Sequence, residues 1–221
     1  MPVPLPEPTP EGIVAVGGPL DPDTVLEAYR HGVFPWPHPG LPLLWFSPDP
    51  RAVLDLPDLH IPKRLARTRR TTALRFTIDH AFDDVITACR ASPRPGQSGT
   101  WITHAMLRTY KTLHARGHAH SVEAWNPDGT LAGGLYGICV DGTFSGESMF
   151  HRVDDASKLC VLHLMDHLAA RGIGWIDIET MTPHFEALGA KEIPRDTFLA
   201  RMAVERARGR IAFDPPAPAT P

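Results

Sequence analysis

The chain has 221 residues, 43% of them hydrophobic and 21% charged, the make-up of a soluble globular protein of one or two domains that can bury its own core. A net charge of −3 does not advertise nucleic-acid binding by the chain as a whole. Cys89, Cys139 and Cys160 are too few and too widely spaced for a disulfide framework or a thiolate metal site. The opening MPVPLPEPTPEG lacks the basic residues and apolar run of a signal peptide, and no later apolar stretch is long enough to span a bilayer, so a cytoplasmic protein without membrane contact is expected.

In chain order, the first ten residues are proline-rich and read as extended or frayed. Asp21 or Asp23 caps a short helix through Val25, Leu26 and Tyr29, which Gly32 stops. The prolines among residues 34–48 predict irregular structure. The aromatics between them either fold onto their own domain or form a platform for a base or side chain. Arg51 to Leu56 alternates as a strand. Residues 1–58 carry two arginines against eight acids, after which Lys63, Arg64, Arg67, Arg69, Arg70 and Arg75 follow with no acid between them. A helix from about Pro62 puts Lys63, Arg67 and Arg70 on one face. With Arg64 they form the candidate phosphate-contacting patch, the plainer alternative being a solvated surface. The change of sign sets the expected division: a small N-terminal domain over 1–58, a larger one over 59–208, and a Pro-rich, disordered tail over 209–221.

Leu74 to Ile78 reads as a strand, and Ala81 to Ala91 as a helix burying Phe82, Val85, Ile86 and Cys89. Ser92 to Gly99 is a loop. Thr103 opens a helix with the stripe Met106, Tyr110 and Leu113, ended by Gly117. A strand over Ala119 to Trp125 turns through Asn126-Pro127-Asp128-Gly129 into a hairpin spanning residues 131–150, whose signal is Asp141-Gly142 between alternating segments. The result is a three-stranded antiparallel meander. Ala156 to Arg171 has a broad apolar face and precedes the strand Trp175 to Glu179, which makes it the crossover of a β-α-β unit. Thr182, Pro183 and Gly189 bracket a short helix, and a strand over Lys191 to Ile193 and a helix over Arg195 to Arg208 close the chain.

Two polar features stand out. Strict alternation puts Glu147 and Met149 on one face of the hairpin, with Phe144, Gly146 and Phe150 on the other. Asp177 and Glu179, two residues apart, share a face with Trp175 while Ile176 and Ile178 point away. These acids are either the solvated tip of a strand or, paired with Glu147 across the sheet, a negative pocket for a cationic ligand in which mutual repulsion raises at least one pKa. A zinc site built on His118 and His120 has no third ligand at a recognisable spacing, so no metal is expected. Ser148 lacks the second glycine of a nucleophile elbow, which argues against a serine hydrolase.

Phe34-Pro35-Trp36, Leu44-Trp45-Phe46-Ser47-Pro48, Thr100-Trp101-Ile102, His120-Ser121-Val122-Glu123, Gly133-Gly134-Leu135-Tyr136-Gly137, Gly146-Glu147-Ser148-Met149-Phe150, Ala156-Ser157-Lys158 and Ile176-Asp177 occur in an order that resembles the bacterial leucyl/phenylalanyl-tRNA–protein transferases. The likeness runs from about residue 12 to about residue 200. It implies an α/β (α+β) protein, a small N-terminal domain on a C-terminal domain of the acyl-CoA N-acyltransferase-like (GNAT-like) fold, with a mixed, mainly antiparallel sheet. It also implies transfer of Leu or Phe from aminoacyl-tRNA to the α-amine of proteins that begin with Arg or Lys, marking them for degradation, by a monomer with no cofactor.

The resemblance makes Asp177, Glu179 and Glu147 the catalytic residues. It lines a donor pocket with Leu135, Phe144, Met149 and Ile176, and with Leu164 and Leu168 where the family tends to be aromatic. Trp45 and Trp101 would stack on the 3′ end of the tRNA, or else be buried aromatics. Phe144 and Met149 share one pocket only if Gly146 introduces a bulge. One departure matters: Glu179 stands where the family pattern has a glutamine, and an ionised carboxylate accepts from an ammonium but cannot donate. Two other classes fit less well. An acyl-CoA transferase calls for a glycine-rich loop where this chain has His151-Arg152-Val153-Asp154-Asp155, and a non-catalytic RNA-binding module has no use for acids clustered against apolar residues.

Overall fold

The computed structural model describes residues 7–93 and 100–214. Residues 1–6 of the start expected to be extended or frayed, most of the loop expected over 92–99 and residues 215–221 of the expected tail lie outside these residues.

Three short strands, β1 (Ile13–Val16), β2 (Phe34–Trp36) and β3 (Leu44–Phe46), form an antiparallel sheet in the order β1-β3-β2. This corrects the expectation that the prolines of residues 34–48 exclude regular structure. Pro35 lies in an edge strand, where a missing N–H breaks no outer ladder, and the central strand Leu44-Trp45-Phe46 has no proline. Helix α1 (Pro22–Arg30) joins β1 to β2, capped by the Asp21 carboxylate, which accepts from the main-chain N–H of Asp23 and Thr24.

The second sheet contains β4 (Arg51–Asp55), β5 (Arg75–Ile78), β6 (Ala119–Trp125), β7 (Leu131–Val140), β8 (Thr143–His151), β9 (Trp175–Glu179) and β10 (Lys191–Ile193). Its order is β10-β4-β9-β8-β7-β6-β5, and every neighbouring pair is antiparallel except β8 with β9. The single parallel pair is the one bridged by α5 (Ala156–Ala170), so the mixed, mainly antiparallel sheet and the crossover helix are as expected. Because β4 sits between β9 and β10, the chain enters the larger sheet at Arg51, ahead of the division expected after residue 58.

Among the described residues the other α-helices are α2 (Lys63–Thr71), α3 (Phe82–Ala91), α4 (His104–Ala115), α6 (Pro183–Glu186) and α7 (Arg195–Arg208), and a 3-10 turn spans Leu56–Asp58. Alternation along β7 divides the core. Tyr136, Ile138 and Val140 pack with residues of α1, α3 and α4, and Leu135 packs with α5 on the opposite face. Within the stretch expected as a disordered tail over 209–221, Ala212 and Phe213 are buried against α5 and β6.

Candidate active site

Strands β8 and β9 touch in register at one pair, Ser145 with Asp177, and beyond it a cavity of about 290 Å³ opens between the sheet, α5 and the N-terminal sheet. Its apolar wall includes Leu135, Phe144, Met149, Val161, Leu164 and Ile176. A bulge on β8 makes this wall possible. Tyr136 pairs with Ser148 and Gly137 with Gly146, which leaves Glu147 as an extra residue. The bulge resets the alternation, so Met149, opposite Leu135, faces the same side as Phe144, opposite Cys139. Strict alternation is thereby corrected at Gly146–Glu147. Five of the six expected wall residues line the cavity; Leu168, one turn beyond Leu164 on α5, lies in the core behind it.

The bulge also frees Glu147 from the ladder. Its carboxylate accepts from the Tyr29 hydroxyl of α1 and from the Tyr110 hydroxyl of α4 at 3.3 Å, and the two hydroxyls lie 3.1 Å apart. Burial and the nearby charge of Glu147 hold both tyrosines well above their ordinary pKa, so they remain donors. Burial pushes Glu147 up to about 7, against the opposing pull of the two hydroxyls.

Asp177 is fully buried and does not line the cavity. Arg51 of β4 binds it through two bonds, Nε to Oδ1 at 2.8 Å and Nη2 to Oδ2 at 2.7 Å. The Ser145 hydroxyl donates to Oδ2 at 2.7 Å, and the main-chain N–H of Glu179 to Oδ1 at 2.9 Å. Arg51 is itself sandwiched between the rings of Phe34 and Phe198. The reading of Asp177 as part of a solvated strand tip is therefore replaced by a buried ion pair that ties β4, β8 and β9 together.

The two acids of β9 do not share a face. A register shift leaves Ile178 unpaired with β4, and Glu179 adopts a left-handed conformation with φ of 64°. The main-chain N–H of Thr180 donates to the carbonyl of Ile178 at 2.7 Å, closing a three-residue turn about Glu179. This strained turn aims the Glu179 side chain into the cavity while Asp177 points to Arg51. Glu179 is 9% exposed, and among the described residues its Oε1 has no hydrogen-bond partner. Burial and then the charge of Glu147 hold it well above the usual carboxylate range. An unsatisfied buried oxygen beside a second acid calls for a donor, and an ammonium would supply one.

At the mouth, Trp101 and Trp36 line the cavity. Trp45 does not. It is 5% exposed and donates from Nε1 to the carbonyl of Gly17 at 2.9 Å, so packing within the N-terminal sheet leaves no free face on which a base can stack. On α2, Lys63, Arg67 and Arg70 are exposed with no acid within ion-pair distance among the described residues, whereas Arg64 binds Asp155 at 3.1 Å. Lys158 shares Asp155, which links α2 to the start of α5. His184 on α6 is held down to about 4 by burial and then by the charges of Lys158 and His151.

Sequence reasoning missed the roles of Arg51, Tyr29 and Ser145. An arginine within the apolar run Ala52-Val53-Leu54 was the available signal for Arg51; its partner lies 126 residues away in the chain.

The family model described as leucyl/phenylalanyl-tRNA protein transferase matches residues 53–203, and the model of that transferase's N-terminal domain matches residues 18–49. A leucyl/phenylalanyl-tRNA–protein transferase of Chromohalobacter salexigens is 53% identical over 190 residues, covering 86% of this chain and 73% of that one. One from Nitratidesulfovibrio vulgaris (strain DP4) is 50% identical over 191 residues, covering 86% and 81%. One from Alkalilimnicola ehrlichii is 46% identical over 209 residues, covering 93% and 81%.

Proposed function

The chain belongs to the leucyl/phenylalanyl-tRNA–protein transferase family of aminoacyltransferases, and from that premise we propose that it moves Leu or Phe from aminoacyl-tRNA to the α-amine of proteins beginning with Arg or Lys, marking them for degradation. The observation that carries the reading is the unpartnered Oε1 of Glu179 on the floor of an apolar cavity, beside Glu147.

The donor side chain fills the apolar cavity, with its ester carbonyl at the acidic floor. The terminal adenosine stacks on Trp101, with Trp36 taking the place expected for Trp45, a contact worth about 1–3 kcal/mol per base. Lys63, Arg67 and Arg70 contact tRNA phosphates. Glu147, held by two tyrosines, and Glu179 receive the acceptor's ammonium. An α-amine of pKa about 7.7–8.0 is roughly a tenth to a fifth neutral at pH 7, so the base corrects a modest deficit. Holding amine and ester in line is worth about 7–11 kcal/mol, and positioning therefore dominates the rate.

The bound ammonium first gives up one proton to solvent; the neutral amine nitrogen then attacks the ester carbonyl and Glu179 takes the second proton. The bond to the ribose oxygen then breaks, and the same proton passes to that oxygen as the peptide bond is completed. A carboxylate held well above its usual range suits this exchange near neutral pH better than an ordinary glutamate. Asp177 is a positioning residue. Its hold on the Glu179 N–H fixes the turn that aims the base, and its own oxygens are committed to Arg51 and Ser145. An acyl-CoA donor is disfavoured because Asp155, an acid, stands at the N-cap of α5, where a pyrophosphate would need positive potential.

The test incubates the protein with leucyl-tRNA and peptides beginning with Arg, Lys, Met, Asp or Glu and reads the added residue by mass spectrometry. Addition to the Arg and Lys peptides alone is expected, and Glu179→Gln, which restores the amide of the family pattern, should lower kcat and remove the carboxylate's limb from its pH profile. A variant with the parent's rate and pH profile would remove Glu179 from the role of base.

A further inference from the structure

Behind the cavity, the last described residues cross the end of α5 as a strap. Arg210 donates to the carbonyl of Gly172, His167 meets the carbonyl of Ala212 at 2.9 Å through Nε2, and Arg171 reaches Asp214 at 3.2 Å. These bonds hold Phe213 in place. Its ring stacks on His120 with centroids 3.9 Å apart and planes 8° apart, and on His167 at 5.1 Å. His120 is braced in turn by Asp79 at 2.7 Å. The third ring against Phe213 is Phe144, at 5.7 Å and 45°.

Phe144 belongs to the wall of the cavity, and Phe213 does not line it. The Phe144 ring lies over the main chain of Gly137, where even a Cβ would collide with it, so it cannot retreat in that direction. Phe213 packs against its other side, in the buried cluster that also holds Leu168. The position of the back wall is therefore set by a residue that the donor never touches.

We propose that Phe213 determines donor specificity, holding the Phe144 ring forward and so setting the depth of the cavity. This rests on the reading of that cavity as the donor side-chain site. Truncating Phe213 leaves a void into which Phe144 swings, because a buried aromatic removed from a core is only partly replaced by collapse around it. The cavity deepens, and bulkier donors gain over leucine. One methylene in an apolar pocket changes selectivity by about 10–200-fold, so a shift of wall position by a ring's thickness is readable.

The experiment offers leucyl-, phenylalanyl- and tryptophanyl-tRNA in competition, with an Arg-initiated peptide as acceptor, and compares the parent with Phe213→Ala, Phe213→Val and Phe213→Leu. The ratio of kcat/KM for the aromatic donors to that for leucine should rise by about tenfold in Phe213→Ala, rise less in Phe213→Val, and stay within about threefold of the parent in Phe213→Leu. A general loss of stability lowers all three donors together and leaves the ratio where it was. If Phe213→Ala does not fold, the same ratio is read from Phe213→Val. An active parent whose ratio moves in neither variant overturns the role of Phe213 alone. A parent that accepts none of the three donors overturns the reading of the cavity, and this proposal with it.

Discussion

Glu147 carries a measurable signature of its surroundings. Its carboxyl is pushed up to about 7, mainly by burial, from 4.5. A carboxyl whose folded-state pKa lies above its unfolded value favours the folded state below the unfolded pKa, and that contribution is lost as pH rises through the folded one. The parent should therefore lose stability relative to Glu147→Gln between about pH 4.5 and pH 7, by no more than about 3 kcal/mol. Urea midpoints at pH 5 and pH 8 check this, and parallel pH dependence of the two proteins would contradict it. Under the proposed function the same chemistry would serve binding, because an acceptor ammonium would supply the positive charge that the two acids lack. Arg51 and Asp177 instead form a buried ion pair. Each satisfies the other, and removing either leaves a buried charge without a partner.

At the scale of elements, the site depends on two departures from regular strand geometry. The bulge of β8 lets Phe144 and Met149 face one cavity and turns Glu147 towards the tyrosines of α1 and α4. The turn at the end of β9 separates Glu179 from Asp177. Gly137 is the glycine that the first arrangement requires: a Cβ there would strike the Ser145 carbonyl and the Phe144 ring. Gly137→Ala should destabilise the protein by about 1–3 kcal/mol through overpacking. It should also disturb transfer of leucine and phenylalanine together, since it displaces the bulge as well as the ring. Denaturant unfolding and donor kinetics check both effects, and a midpoint equal to the parent's would show that the approach of β7 to β8 is looser than described.

Over the whole molecule, charge and cavity are arranged in sequence. Acids dominate residues 1–58, and the first strongly basic segment is α2, which Arg64, Asp155 and Lys158 connect to the start of α5. Replacing Lys63, Arg67 and Arg70 together with Gln should raise KM for aminoacyl-tRNA and flatten its dependence on salt, by roughly 2–3 in the log–log slope if each contacts one phosphate. Stability should change little, because all three side chains are exposed. An unaltered salt slope would place the tRNA elsewhere.

From Arg51 onwards, the order of the elements, the central hairpin and the crossover helix were legible in the amino-acid sequence, because periodicity, caps and Asp-Gly turns act over a few residues. The N-terminal sheet was not: prolines read as breakers are harmless on an edge strand, and edge position is a property of the assembled sheet. Whether Trp45 is a platform or a core residue, and whether Asp177 faces water or a pocket shared with Glu147, were equally undecided, and Arg51 as its partner was not foreseen. Only the tertiary structure chose, because each answer depends on a partner far away in the chain, and on a bulge and a left-handed turn that decide which way a side chain points.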